Sequence, residues 1–456
     1  MSLVHPTPAA ADADTARLDA EWLDAHWMPY TGNRQFKADP RMIVEGQGAY
    51  FTDAEGRKIF DGLSGLWCTG LGHGRREIAE AVGRQAAKLD YAPAFQFGHP
   101  GSFALANRIK GFMPAGSGLD HVFFTGSGSE AADTSLKMAR AYWRAKGQAS
   151  KTRLIGREKG YHGVNFGGIS VGGIAANRKL FGQGVEADHL PHTQPAAGSF
   201  HKGMPPEGGR ALADRLLDVI ALHDASNIAA VIVEPFSGSA GVVIPPVGYL
   251  ERLREICTQN NILLIFDEVI TGFGRCGAFT GAEAFGVVPD LMNIAKQLTN
   301  GAQPMGAVVA KKEIYDTFMA AGGPDYMLEF PHGYTYSAHP VACAAGLAAL
   351  DLLVQEDMIG RVKAIAPHFE AAVHSLKGAK HVADIRNYGL AAGITIAALP
   401  GEPARRPYEI AMNCWKKGFY VRYGADTVQL APPFISEKAE IDRLVSALGD
   451  ALAETA

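Results

Sequence analysis

Two kinds of hydrophobic spacing alternate along the chain. Ile228 to Val233 and Ile262 to Phe266 are unbroken apolar runs, as expected of strands buried on both faces of a parallel sheet. Between them, Val247 to Asn260 places Leu250, Leu253 and Cys257 on one side of a helix, which completes a βαβ unit. Upstream, His121 to Thr125 predicts a short strand. A glycine-rich turn (GSGSEA, 126–131) follows, then a helix with Ala132, Leu136, Ala139 and Trp143 on one face. Thr152 to Gly156 reads as a further strand, and GAVVAKKEIYDTF from Gly306 as a strand and helix. A long Ala/Leu-rich helix then runs to about Leu353.

The two ends of the chain read differently. Residues 1 to about 17 are expected to fray. Leu18 to Trp27 predicts a short helix, and Met42 to Asp61 a hairpin of two extended stretches joined by the turn at 53–56. From 358 onward the pattern gives a helix, a strand pair (Ala383 to Arg386, Ile394 to Ala397), a helix over 405–417, a strand over 419–422 and a final helix. These readings predict an α/β protein with a large domain over 66–337, whose central sheet is mostly parallel and flanked by helices. A smaller α+β domain over 338–456 would pack with the segment 1–65. No internal repeat is present.

Composition narrows the class. The 456 residues are 47% apolar and 20% charged, the balance of a globular enzyme. A net charge of −4 without basic runs argues against nucleic acid or anionic membrane as a partner. The five cysteines are scattered, which speaks against a disulfide framework or a zinc site and for a reducing compartment. The N-terminus lacks a basic and apolar leader pattern, and no apolar run is long enough to span a bilayer. A cytoplasmic location is the expectation.

The candidate chemistry gathers at predicted strand ends. Asp267 and Glu268 follow the run ending at Phe266, and Glu234 follows Val233, so two parallel strands end in acids on the edge where such sheets bind ligands. Lys296 stands among Met292, Ile294, Ala295 and Leu298. A buried lysine there either pairs with Asp267 structurally or does covalent chemistry. The second reading points to pyridoxal phosphate, which needs an amine for a Schiff base and a carboxylate beside its ring nitrogen. The turn at Ser127, Gly128 and Ser129 fits phosphate capture by free amides at a helix N-terminus. It also matches a loose dinucleotide fingerprint, so an NAD-dependent dehydrogenase is a rival, weakened because the first acid after the next strand, Glu158, comes late. Tyr161 could stack on a flat ring, and His162 reads as a hydrogen-bonded structural residue. Trp67, in the glycine-rich stretch 63–74, is either a pocket wall or a core anchor. The histidines over 188–209, a surface excursion, lack metal-site spacing.

With these residues in view, the chain resembles the class III, pyridoxal-phosphate-dependent aminotransferases of fold type I, from about Trp22 to the C-terminus. The shared strings are GSGSEA, YHG, EP at 234–235, DEVITGFGR, AKQLTNGAQPMGAV and HGYTYSAHPVACAAGLA. FYVRYGADTVQLAPP resembles the ω-amino acid–pyruvate branch more loosely.

The resemblance implies that Lys296 carries the cofactor and moves the proton, and that Asp267 keeps the ring nitrogen protonated. It implies phosphate contacts from Ser127 and Gly128, and from Thr335 of a neighbouring subunit, hence a homodimer with shared sites; pairing into tetramers stays open. Tyr161 and Val269 would sandwich the ring, with Glu234 supporting the site. Arg422 would grip the carboxylate of pyruvate, and Trp67 and Phe95 would line the donor pocket, with Phe97 as plausible as Phe95 by spacing. The implied reaction moves an amino group from a β-alanine-type ω-amino acid or a primary amine to pyruvate, giving L-alanine. Taurine–pyruvate or other amine–pyruvate transfer is the alternative within the class. An aminomutase, a decarboxylase and a silent cofactor-binding regulator rank lower.

Overall fold

The computed structural model describes residues 20–456; the expectation for residues 1–17 lies outside them. Three sheets organise the chain. The first begins with β1 (Ile43–Gln47), β2 (Tyr50–Asp53) and β3 (Lys58–Asp61). The expected hairpin is thus a three-stranded meander: the turn at 53–56 is present, and a second turn at Gly48 divides the first extended stretch. The short N-terminal helix spans Ala20–Asp24.

The central sheet contains β4 (Leu119–Thr125), β5 (Arg153–Arg157), β6 (Ala187–Leu190), β7 (Ile228–Val233), β8 (Leu263–Asp267), β9 (Leu291–Ile294) and β10 (Gly306–Lys311). Its order is β4-β10-β9-β8-β7-β5-β6. All neighbours from β9 to β6 are parallel, and only β10 runs against its neighbours. Every residue of β7 and β8 is buried, which is why both read as continuous apolar runs. The helix Gly128–Ala145 packs across one face through Ala131, Leu136, Ala139 and Trp143, with Ala132 also buried. The helices Gly209–His223 and Tyr249–Gln259 pack on the other, with Leu216, Leu250 and Leu253. Part of the expected surface excursion at 188–209 is β6, the sheet's edge strand.

The third sheet joins β11 (Val382–Tyr388), β12 (Ala391–Ile396), β14 (Arg422–Gly424) and β15 (Thr427–Leu430) in the order β11-β12-β15-β14. Between β12 and β14 in the chain, β13 (Phe419–Tyr420) instead pairs in parallel with β3 and ties the C-terminal region to the N-terminal sheet. The predicted strand 419–422 is therefore two strands serving two sheets. The helix Pro340–Gln355 packs on the helices Arg76–Lys88 and Pro100–Lys110 and on the turn that begins at Lys296.

Candidate active site

The site lies along the carboxyl ends of β5, β7, β8 and β9. Glu234 follows β7 and Asp267 ends β8, and the two carboxylates are 4% and 5% exposed, so each needs partners. Asp267 Oδ2 meets His162 Nδ1 at 2.8 Å, and its Oδ1 accepts from the Val269 amide at 3.2 Å. Glu234 Oε1 accepts from the Tyr161 amide at 3.1 Å. Arg157, at the end of β5, donates to the Glu234 carbonyl (3.0 Å) and to Ser237 Oγ (2.6 Å). Burial raises the Glu234 carboxyl above its ordinary range; His162 opposes the rise and neighbouring Asp267 adds to it. His162 is buried beside both acids. In the sequence this residue reads as a structural histidine, because its partner Asp267 lies far along the chain.

Lys296 opens a short 3-10 turn at the end of β9, with φ of +50°. That left-handed backbone is costly for a lysine, and it sets the side chain at the cleft wall. Burial pushes its amine below the ordinary lysine range, against the opposing pull of Cys68, Asp267 and Glu234; the charge of Arg422 adds to the depression.

Opposite these groups stands the N-terminus of the helix Gly128–Ala145. Ser127 caps it by accepting from the Glu130 amide (3.2 Å), and the Glu130 carboxylate accepts from the Gly126 amide (2.6 Å). Among the described residues, the amides of Gly128 and Ser129 donate to no protein acceptor, so two oriented donors face the cleft. Close backbone packing fixes them. A Cβ at Gly306 would collide with the Ser127 carbonyl, and Gly128 sits against Val269.

The resulting cavity, about 320 Å³, is lined by Ser127, Tyr161, Glu234, Asp267, Val269 and Lys296 among others. Free amides at one end, a buried acid and a desolvated amine suit a flat, phosphorylated, aldehyde-bearing ring such as pyridoxal 5′-phosphate. Among the described residues, no group of three or more His, Cys, Asp or Glu side chains is placed to hold a metal ion. Nor is any described helix long and apolar enough to cross a membrane.

The other predicted residues lie elsewhere. Trp67 is buried in the core, with Arg275 over its ring at 5.8 Å; its neighbour Cys68 lines the cleft in its place. Phe95 and Phe97 are exposed on the surface. Thr335 is also exposed, and its carbonyl accepts from Tyr91 Oη at 3.0 Å. Arg422 is half-buried on β14 and acts electrostatically on both Lys296 and Tyr161. The loop 196–209 packs on β11: Phe200 N–H donates to Asp384 Oδ1 and Gly203 N–H to the Asn387 carbonyl.

The dinucleotide alternative fails on topology. Such a unit needs the next strand beside the first and parallel to it. Here β4 is an edge strand antiparallel to β10, and β5 lies far across the sheet.

Comparisons with known proteins agree with this geometry. The family described as aminotransferase class-III matches residues 31–452. The beta-alanine–pyruvate aminotransferase of Pseudomonas aeruginosa is 62% identical over 94% of this chain and 96% of its own. The omega-amino acid–pyruvate aminotransferase of Pseudomonas putida is also 62% identical, with the same coverage. A solved amine transaminase from an uncultivated Pseudomonas species, in its PLP-bound form, superposes with a TM-score of 0.87 at 36% identity, covering 94% of this chain and 99% of that one. From strand order to family match, these findings converge, and the chain belongs to the class-III aminotransferases.

Proposed function

We propose that the protein transfers an amino group from an ω-amino acid of the β-alanine type, or from a primary amine, to pyruvate, releasing L-alanine in a ping-pong cycle. The observation that carries this reading is the meeting of Lys296, Asp267 and two free helix amides in one cleft. Pyridoxal 5′-phosphate, the cofactor of this family, supplies a ring that accepts the electrons released when a substrate C–H is deprotonated.

The chain's own residues do the rest. Ser127 and Gly128 hold the phosphate with the helix dipole behind them. Asp267, itself oriented by His162 and the Val269 amide, keeps a proton on the ring nitrogen. Tyr161 and Val269, both in the cleft wall, would hold the ring, and Glu234 fixes the Tyr161 backbone. Lys296 would hold the cofactor through its amine and would carry the proton to and from the substrate carbon. Its depressed basicity keeps the amine able to accept that proton. Arg422 binds the acceptor's α-carboxylate and withdraws for donors without one. Trp67 acts from behind the cleft wall through its neighbour Cys68, Phe95 belongs to the exposed aromatic face, and Thr335 of a second copy completes the phosphate site. The exposed aromatics around Phe95 and Tyr336 support that dimer.

The test is optical. The purified protein should show a visible cofactor band that fades on adding β-alanine alone and returns with pyruvate. A band that ignores β-alanine but responds to taurine or a plain amine would reassign the donor. If no band forms even after incubation with pyridoxal phosphate, the role of Lys296 is wrong.

A further inference from the structure

Four residues of the C-terminal sheet form one transverse row. Arg386 on β11 pairs with Gly393 on β12, Gly393 with Gln429 on β15, and Gln429 with Arg422 on β14. Residues directly opposite across antiparallel strands project to the same face. The row therefore reads arginine, no side chain, glutamine, arginine. The gap at Gly393 is required: a Cβ there would strike the Gly241 carbonyl. The loop carrying Ser239 thus settles onto this face, and Ser239 is part of the cleft wall.

Gln429 bridges that loop and the sheet. It is 1% exposed, and its Nε2 donates to the Ser239 carbonyl at 3.3 Å. Its Oε1 is buried and accepts no hydrogen bond among the described residues. A buried amide oxygen without a donor is unfavourable and calls for one nearby. Of the two arginines in the row, Arg386 is already engaged. It donates to Thr395 Oγ1 (2.7 Å) and Thr427 Oγ1 (3.4 Å) and stands 3.6 Å from Asp384. Arg422 pairs with β15 through its backbone, but its guanidinium has no hydrogen-bond or ion-pair partner among the described residues. One unpartnered donor and one unpartnered acceptor thus stand side by side next to the cleft.

We propose that Gln429 is a specificity-determining residue: its amide oxygen is the resting acceptor for the Arg422 guanidinium while the cleft holds a substrate lacking an α-carboxylate. An acceptor carboxylate outbids this neutral partner, because a charge-assisted, bidentate pair is stronger than a bond to an amide. A neutral acceptor is suited to this task. It is strong enough to draw Arg422 aside from an amine, and weak enough to release it to pyruvate. The inference rests on the reading of Arg422 as the carboxylate-binding residue.

The experiment uses the holoenzyme and two readouts: calorimetric affinity for propionate, a carboxylate with no amine to react, and KM values for pyruvate and for an uncharged primary amine. Gln429→Glu should hold Arg422 in an ion pair, weakening propionate and raising the pyruvate KM at least fivefold more than the amine KM. Gln429→Leu removes the resting place and should do the reverse, raising the amine KM at least threefold while propionate binds as tightly or more so. Gln429→Asn, which draws the amide back by one methylene, should follow Leu and serves if the Leu variant does not fold. In an Arg422→Ala background these shifts should vanish. The inference is overturned if the Gln429 variants move both substrates together, or if their effects persist without Arg422. Should Arg422→Ala alone leave propionate affinity intact, the assignment of Arg422 itself falls, an outcome separable from failure at Gln429.

Discussion

At the scale of single residues, Lys296 sets the terms. It is placed by a left-handed backbone and loses basicity to burial. A lysine pKa lowered by folding means that the folded state binds its proton less well than the unfolded chain. The charged form is then destabilising at low pH, and the penalty disappears as the pH rises toward the ordinary lysine value of about 10.4. Cofactor-free Lys296→Met should accordingly melt above the cofactor-free wild type at mildly acidic pH, with the gap closing as the solution becomes alkaline. Thermal denaturation across pH checks this. Turnover of the same variant with pyridoxal phosphate should fall by about a thousandfold or more, since both covalent attachment and proton transfer are lost. The importance of Lys296 and Asp267 was legible because each interrupts an apolar run. His162 was not: no periodicity reveals which distant carboxylate a loop histidine will meet.

At the scale of elements, the segment 268–282 links the cleft to the rest of the molecule, and Glu268 staples its two ends. This fully buried carboxylate accepts from the amides of Gly281 and Ala282 and from Thr271 Oγ1. Within the segment, Val269 packs on Gly128, and buried Arg275 donates to Leu390 and Pro432 carbonyls and to Ser64 Oγ. Glu268→Ala would leave two buried amides without acceptors, an expected loss of about 2–4 kcal/mol measurable by chemical denaturation. Burial pushes the Glu268 carboxyl up to about 7. Its folded pKa exceeds the unfolded value of about 4.3, so its contribution is fully present below that value and is lost as the pH passes 7. Wild type should therefore lose melting temperature relative to Glu268→Gln between about pH 5 and 8. Gly306→Ala is a second test at this scale: its methyl would push the Ser127 turn off β10 and weaken cofactor retention by at least tenfold, read from the visible band after dialysis. The strands β7 and β8 were legible because full burial leaves an unbroken apolar run. The strand β15 was not, since Thr427 and Gln429 are polar and their burial comes from the loop laid over them. Nor did the sequence reading bring out the helices Arg76–Lys88, Pro100–Lys110 and Gly209–His223; their one-sided apolar faces gain meaning only from what they pack against.

At the scale of the whole molecule, the segments 91–103 and 331–339 form an exposed aromatic face that the proposed dimer would cover. Tyr91 meets Tyr336 edge-on, Phe95 lies against Gly333, and Phe103 lies against Gly98. Phe97 and Phe103 are 71% and 66% exposed, and burying each would contribute about 1.5–3 kcal/mol. Thr335 belongs to this face and lies outside the cleft of its own chain. A charge placed there, as in Phe97→Asp with Phe103→Asp, should convert a dimer to monomer by sedimentation and release the cofactor. Complementation then decides whether Thr335 works across the interface. Lys296→Ala and Thr335→Phe chains should each be inactive alone. In a mixed dimer, if Thr335 acts on the partner's cleft, the subunit with intact Lys296 receives an intact Thr335 from the other, and one of two sites recovers. If Thr335 serves its own chain, neither site recovers, because each subunit keeps its own lesion. Random mixing makes about half the dimers mixed, so recovery near one quarter of wild-type activity supports exchange across the interface. Recovery near zero, with mixed dimers demonstrated by mass, would place Thr335 outside the shared site and leave the aromatic face as an interface without a catalytic share.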